Sequence, residues 1–379
     1  MKRETSLYLD IVRIVAAGLV FLDHYSDQRL TGGVLWQFGP YGAVAVDLFF
    51  VLSGFVIAHV LVTREADPFD FAVSRLARIY SVALPALAFT FAADAIGRLG
   101  HAALYLGWPS YDPSHRLWQF VAGALFLNEF AGREVLIGSN GAYWSLGFEV
   151  WYYIIFGLIC FLPRRWNLLA AALALFAVGA KVAVMFPLWL LGVGLYRVLP
   201  RLRPGLERLG LEGLGLEGLG LEGLGFSAAV ALWLGSFALF ALTQILLPGR
   251  NPLWQPFALD GSRLLDYFYH YVVGLLFALN IAAFDAFGEA LRAPLARIAG
   301  AVRWLAGASF TFYLFHLPLL NVIAAWSPWA RQSTVSRALL MLAVPLGCLA
   351  IAQITERRKK FWRAIFARLL GSAGLRRAA

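Results

Sequence analysis

Apolar runs long enough to cross a bilayer return along almost the whole chain, and this recurrence constrains the fold more than any other feature. They lie at residues 7–25, 41–62, 79–97, 143–162, 167–183, 184–199, 226–247, 264–284, 304–325 and 336–355. In hydrocarbon a spanning backbone must satisfy its own polar groups, and a helix does so within one segment. The runs therefore predict an all-α polytopic bundle of ten transmembrane helices. A shorter apolar piece, 117–129, falls below spanning length and is expected to be re-entrant or interfacial. Composition agrees: 60% of the 379 residues are hydrophobic and 14% charged, with a mean hydropathy of +0.70, whereas soluble domains carry about 25% charge. The first run lacks a small-residue cleavage site and continues into a polar loop, so the first helix is expected to stay in the mature protein.

The net charge of +10 does not point to nucleic acid. With both termini cytoplasmic, the basic residues collect on one side: Lys2 and Arg3; Arg64, Arg75 and Arg78; Arg164 and Arg165; Arg197, Arg201, Arg203 and Arg208; Arg292, Arg297 and Arg303; and the "ERRKKFWR" stretch. That is the positive-inside pattern. Cys160 and Cys348 sit inside apolar runs, so neither a disulfide framework nor a metal site is expected. One low-complexity segment, residues 205–225, repeats an LEGLG unit too short for a solenoid and too rich in glycine for a firm helix. It reads as a cytoplasmic loop within a single transmembrane domain, residues 1–365, followed by a basic cytoplasmic tail, 366–379.

Ionisable groups inside the apolar runs carry the functional information. Arg13, near the middle of the first span, costs about 2.5 to 3.5 kcal/mol on insertion scales and requires a partner or a wet cavity. Asp10, one turn earlier, is the nearest candidate. His24 stands eleven positions after Arg13, which on a helix returns it to within about 20° of the same face and about 16 Å along the axis. "FFVLSGF", residues 49–55, follows Asp47 and places Ser53 and Gly54 where small residues let helices pack. "RLARIYS", residues 75–81, sets Arg75 and Arg78 one turn apart, a spacing suited to clamping phosphates or to fixing topology. "WSLGFEVWYY", residues 144–153, contributes Trp144, Ser145, Glu149 and Tyr153. "ASFTFYLFHLPLL", residues 308–320, puts Ser309, Tyr313 and His316 on one helix, with Pro318 expected to loosen the backbone just beyond the histidine. Structural roles compete for each: Arg13 pairing with Asp10, His24 capping its helix, and His316 as a satisfied core residue.

Taken in order, R-x10-H in the first helix, "VDLFFVLSGF", "RLARIY", "WSLGFE" and "FYLFHLP" resemble the integral membrane acyltransferase family 3, which decorates surface and exported glycans. Glu356 resembles an acidic position at the end of that family's last helix. The chain departs from the pattern at Ser81 and Arg358, where prolines are common. The resemblance implies a ten-helix bundle in a bacterial inner membrane that moves an acyl group, by default acetyl, from cytosolic acyl-CoA to a carbohydrate hydroxyl at the extracytoplasmic side. It also implies that Arg13 and His24 form an activity-linked pair and that Arg75 and Arg78 meet the donor.

The residue types suit that chemistry. A thioester is already activated, so the protein must bring a hydroxyl close, remove its proton and stabilise the oxyanion. Histidine ionises near working pH, which makes His24 the candidate general base or, alternatively, a transient acyl carrier. Arg13, Arg75 and Arg78 are candidates for the donor's phosphates. Arg13, which could instead stabilise developing charge, Glu149 and His316 are further catalytic candidates, and Asp10, Asp47, Ser53, Trp144, Ser145, Tyr153, Ser309 and Tyr313 candidates for substrate contact. No tightly bound cofactor or metal is expected; the partners are acyl-CoA, a glycan acceptor and membrane lipid. A proton-coupled transporter or flippase is the rival, since buried Arg, Asp, Glu and His also mark transport paths.

Overall fold

A computed structural model describes residues 1–108, 111–208, 223–246 and 261–372, and the described residues are helical without a strand. The helices are α1 (Arg3–Tyr25), α2 (Gln28–Thr31), α3 (Tyr41–Thr63), α4 (Pro68–Leu106), α5 (Arg116–Ala124), α6 (Trp144–Phe161), α7 (Arg164–Val178), α8 (Ala180–Arg208), α9 (Gly223–Leu246), α10 (Gly261–Phe287), α11 (Arg292–Ala306), α12 (Ser309–Trp326), α13 (Thr334–Ala352) and α14 (Lys359–Ser372). Nine stretches among them are long and apolar enough to cross a membrane, so the protein is an all-α polytopic membrane protein. Residues 209–222, most of the LEGLG repeat, lie outside the described residues.

The expected span at 167–183 is not one helix. α7 stops after 15 residues, and Gly179 turns the chain at φ 93° before α8 begins. A side chain there would also collide with the backbone of Gly132, so both the turn and the close approach require glycine.

Packing divides the chain into two units. The first comprises Met1–Ala16, Ala43–Thr63 and Val184–Ala306. Here Tyr8 stacks on Phe284 with ring centroids 3.9 Å apart, its hydroxyl donates to Asn280 and accepts from Trp233 Nε1 at 3.0 Å, and Thr5 Oγ1 donates to Asp285 at 2.6 Å. α3 and α8 approach closely where a Cβ on Gly54 would strike the Trp189 carbonyl and one on Gly192 the Val51 carbonyl. Trp189 Nε1 donates to Ser53 Oγ at 3.1 Å across the same contact. "VLSGF" is thus a small-residue packing seam.

The second unit comprises Ala17–Gly42, Arg64–Ala183 and Gly307–Ala379. α4 starts cleanly: Asp67 accepts from the Asp70 amide at 2.9 Å and Pro68 occupies the first turn. The short apolar piece after it forms α5, nine residues long. At its start Arg116 reaches Asp94 of α4 at 3.2 Å, and at its end Tyr80 of α4 donates to the Ala124 carbonyl at 2.8 Å. Those α4 positions are about 21 Å apart along the helix. The chain then returns, and the Ser139 amide donates to the same Asp94 at 3.0 Å. α5 and its return are therefore a re-entrant loop. Irregular backbone at that depth needs donors from protein, and side chains supply them: Tyr143 to the Gly123 carbonyl at 3.1 Å, Tyr80 to Ala124 and Trp151 Nε1 to Phe126 at 3.0 Å.

Candidate active site

α12 runs through the second unit with Pro318 inside it. A proline has no N–H, so the carbonyl four residues earlier, Leu314, loses its helical donor. Asn140, on the return of the re-entrant loop, replaces it: Nδ2 donates to Leu314 O at 2.8 Å and lies 3.2 Å from Thr90 Oγ1. Near its other end α12 is held by Glu356, whose Oε2 accepts from the Thr311 amide at 3.0 Å, a favourable site for an anion at a helix N-terminus.

Just beyond both tethered positions lies His316, fully buried, and against it half-buried His24 from α1. His24 Nδ1 is 2.8 Å from His316 Nε2, and His316 Nδ1 is 3.0 Å from the Phe312 carbonyl. A carbonyl can only accept, so in the neutral pair His316 carries its proton on Nδ1 and presents a lone pair at Nε2. His24 must then donate from Nδ1, which leaves the lone pair of its Nε2 available as a base. The rings of Phe21 and Phe312 enclose the pair, with Phe312 stacked on His316 at 6.0 Å.

Other expected site residues gather in the same unit. Tyr313 and Ser145 share a hydrogen bond of 2.7 Å, and Tyr153 donates to Glu149. Arg78 interacts electrostatically with Tyr153, Glu149, Glu356 and Glu65. Arg75 is held instead by Glu65, with Nη2 2.7 and 2.9 Å from the two carboxylate oxygens. Ser309 is buried at the start of α12. The Trp144 ring lies 6.0 Å from Lys181 Nζ, which bonds Glu129 at 2.9 Å. Burial pushes the Glu129 carboxyl up to about 7 despite that lysine.

Four expected residues belong to the first unit. Arg13 pairs with Asp10 at 2.8 Å, as its spacing suggested. Asp47 is fully buried and bonds His270 Nδ1 at 2.6 Å, and Ser53 accepts from Trp189. α1 runs unbroken from Arg3 to Tyr25, so Arg13 and His24 share one helix although they fall in different units. Sequence reading passed over Glu65, Asn140 and His270. His270 could have been found, since an imidazole inside an apolar run was the signal that singled out His24. Among the described residues no group of His, Cys, Asp and Glu is arranged to hold a metal ion.

A membrane-embedded helical bundle in which one packing unit holds a histidine pair next to Tyr313, together with further tyrosines, a glutamate and arginines, has the components of an acid–base transferase site. The profile of a family described as "Acyltransferase domain" matches residues 6–357, and the chain belongs to this acyltransferase-3 family. It is similar to the O-acetyl transferase of Shigella phage Sf6, 26% identical over 160 residues, covering 39% of this chain and 44% of the relative. It is also similar to the exopolysaccharide production protein ExoZ of Rhizobium meliloti (strain 1021), 30% identical over 149 residues, covering 38% and 43%. Each match thus spans less than half of the relative's length. No solved structure matches the chain.

Proposed function

We propose that the protein is a membrane O-acyltransferase that moves an acyl group, by default acetyl, from cytosolic acyl-CoA to a carbohydrate hydroxyl at the far side of a bacterial inner membrane. The observation that carries this reading is the His24–His316 pair, in which His316 Nδ1 faces the Phe312 carbonyl and His24 Nδ1 faces His316 Nε2, an arrangement that supports His24 Nε2 as the base. The names of the two relatives support acetyl as the group and an exported polysaccharide as the class of acceptor.

In this mechanism His24 Nε2 takes the acceptor's hydroxyl proton as its oxygen attacks the thioester carbonyl. The tetrahedral intermediate collapses with cleavage of the carbon–sulfur bond, and the imidazolium returns its proton to the CoA thiolate, so ester and free thiol are the products. Arg78 and Arg75 bind the donor's phosphates, Arg75 exchanging Glu65 for them. Glu149, Tyr153, Ser145 and Tyr313 orient the substrates, with Trp144 and Ser309 nearby on the same helices. Arg13's part in holding the donor rests on the family resemblance.

The test is to incubate the purified protein with acetyl-CoA and follow release of free thiol with and without an oligosaccharide acceptor. His24→Ala should abolish release while the protein stays folded and still binds CoA. Acetyl-CoA that is bound but never cleaved by the wild type would sink the reading. Mass spectrometry of surface glycans from cells with and without the protein would identify the acceptor.

A further inference from the structure

Away from the histidine pair, the second unit contains a cavity of about 800 Å³ between the first turns of α4, the last turns of α6 and the tip of the re-entrant loop. This is the size of a small-molecule site. Its walls are overwhelmingly apolar, with Phe71, Ile79, Val150, Leu158 and Phe161 among them. Neither His24 nor His316 lines it. Leu125, Ile154 and Leu162 also form its walls and are 57%, 42% and 37% exposed, so it opens sideways on the apolar flank of the bundle. A two-carbon acyl group would fill only a corner of it. Arg75 in the wall is already engaged by Glu65.

What lies beside the cavity names its occupant. α14 packs along α4: Phe366 meets the ring of Tyr80, a wall residue, at 5.4 Å, and Arg363 reaches Asp70 at 3.3 Å. α14 exposes Lys359, Lys360, Arg363 and Arg368 together with Phe361 and Leu369. Cations beside bulky apolar residues on one short helix are the composition of a segment lying at the headgroup level of an anionic leaflet.

We propose that this cavity holds the hydrocarbon chain of an anionic membrane phospholipid whose phosphate lies among Lys359, Lys360 and Arg363. The chain covers the apolar flank of the re-entrant turn at Leu125–Leu127, where helical backbone has ended. The cavity adjoins the acyl-transfer machinery, because Arg75 and Tyr153, given roles above with the donor and the substrates, also line it, but the lipid assignment uses neither side chain.

The probe is phosphatidylglycerol with a photoactivatable diazirine in one acyl chain, present as a minor component of phosphatidylcholine vesicles containing the full-length protein. After illumination, labelled peptides are mapped by mass spectrometry. Adducts should concentrate in residues 68–80 and 150–162, and Ala72→Trp, which fills the cavity, should remove them there while labelling elsewhere persists. Replacing Lys359, Lys360 and Arg363 with glutamine leaves the cavity intact and should lower labelling by the anionic probe about ten-fold. The proposal is overturned if labelling is even over all lipid-facing helices, if a phosphatidylcholine probe labels the cavity as well as the anionic one, or if palmitoyl-CoA but not unlabelled phosphatidylglycerol displaces the probe.

Discussion

Replacing His316 separates its orienting role from a merely structural one. The 2.8 Å bond between His24 Nδ1 and His316 Nε2 is a neutral hydrogen bond, worth about 0.5–1.5 kcal/mol net. Truncating His316 to alanine also leaves the Val20 carbonyl as the remaining hydrogen-bond partner of the His24 ring, and a buried donor left poorly satisfied costs about 1–3 kcal/mol. If that penalty falls on the transition state, in which His24 becomes an imidazolium, kcat drops about 5- to 150-fold. The donor's KM should not change, because His316 is not assigned to CoA. His316→Gln restores an acceptor near the Nε2 position and should recover activity to within about five-fold of wild type. Steady-state thiol release across a range of acetyl-CoA concentrations, with thermal melts to verify folding, supplies the measurement. An unchanged kcat in folded His316→Ala, or a glutamine variant as slow as the alanine variant, would refute the argument that His316 fixes the tautomer of His24.

Two further perturbations probe what surrounds the pair. Glu65→Gln frees Arg75 from its carboxylate and should tighten acetyl-CoA binding about five-fold, about 1 kcal/mol, by isothermal titration; unchanged affinity would remove Arg75 from the phosphate site. Asn140→Ala leaves the Leu314 carbonyl without a donor and should lower stability by about 1–3 kcal/mol in denaturant melts; an unaltered midpoint would mean that the carbonyl released by Pro318 does not depend on this side chain.

Much of the architecture could be read from the chain because hydropathy is local. Spanning runs announce themselves residue by residue, and the Asp10–Arg13 pair was legible because one turn of helix places its two members side by side. Shortness alone marked the re-entrant piece. What holds it was invisible, since Tyr80, Tyr143 and Trp151 read as apolar bulk until their hydroxyl and indole donors are seen on open carbonyls. The break at Gly179 was missed for a related reason. Its glycine sits in an apolar run that continues on both sides, and only the positive φ and the nearby Gly132 backbone show that the helix ends. His24 and His316 were each singled out, but no rule of spacing pairs residues 292 positions apart. Glu65 was overlooked because a charge between two spans looks like a solvated loop residue, whereas its side chain is only 8% exposed.

Pro318 shows how these long-range contacts bear on the chemistry. In an isolated helix a proline two residues after a catalytic candidate would let the preceding turn drift, because Leu314 has lost the hydrogen bond that fixes its register. Here the missing donor comes from Asn140, and the turn's other end is fixed by the Glu356 carboxylate on Thr311. His316 thus follows two anchored positions, and both anchors lie outside α12. A side chain held in this way keeps its ring orientation only while the re-entrant loop and the segment after α13 stay seated. The direction of the His24 lone pair is then a property of three separate stretches of chain, which is why no single motif could have disclosed it.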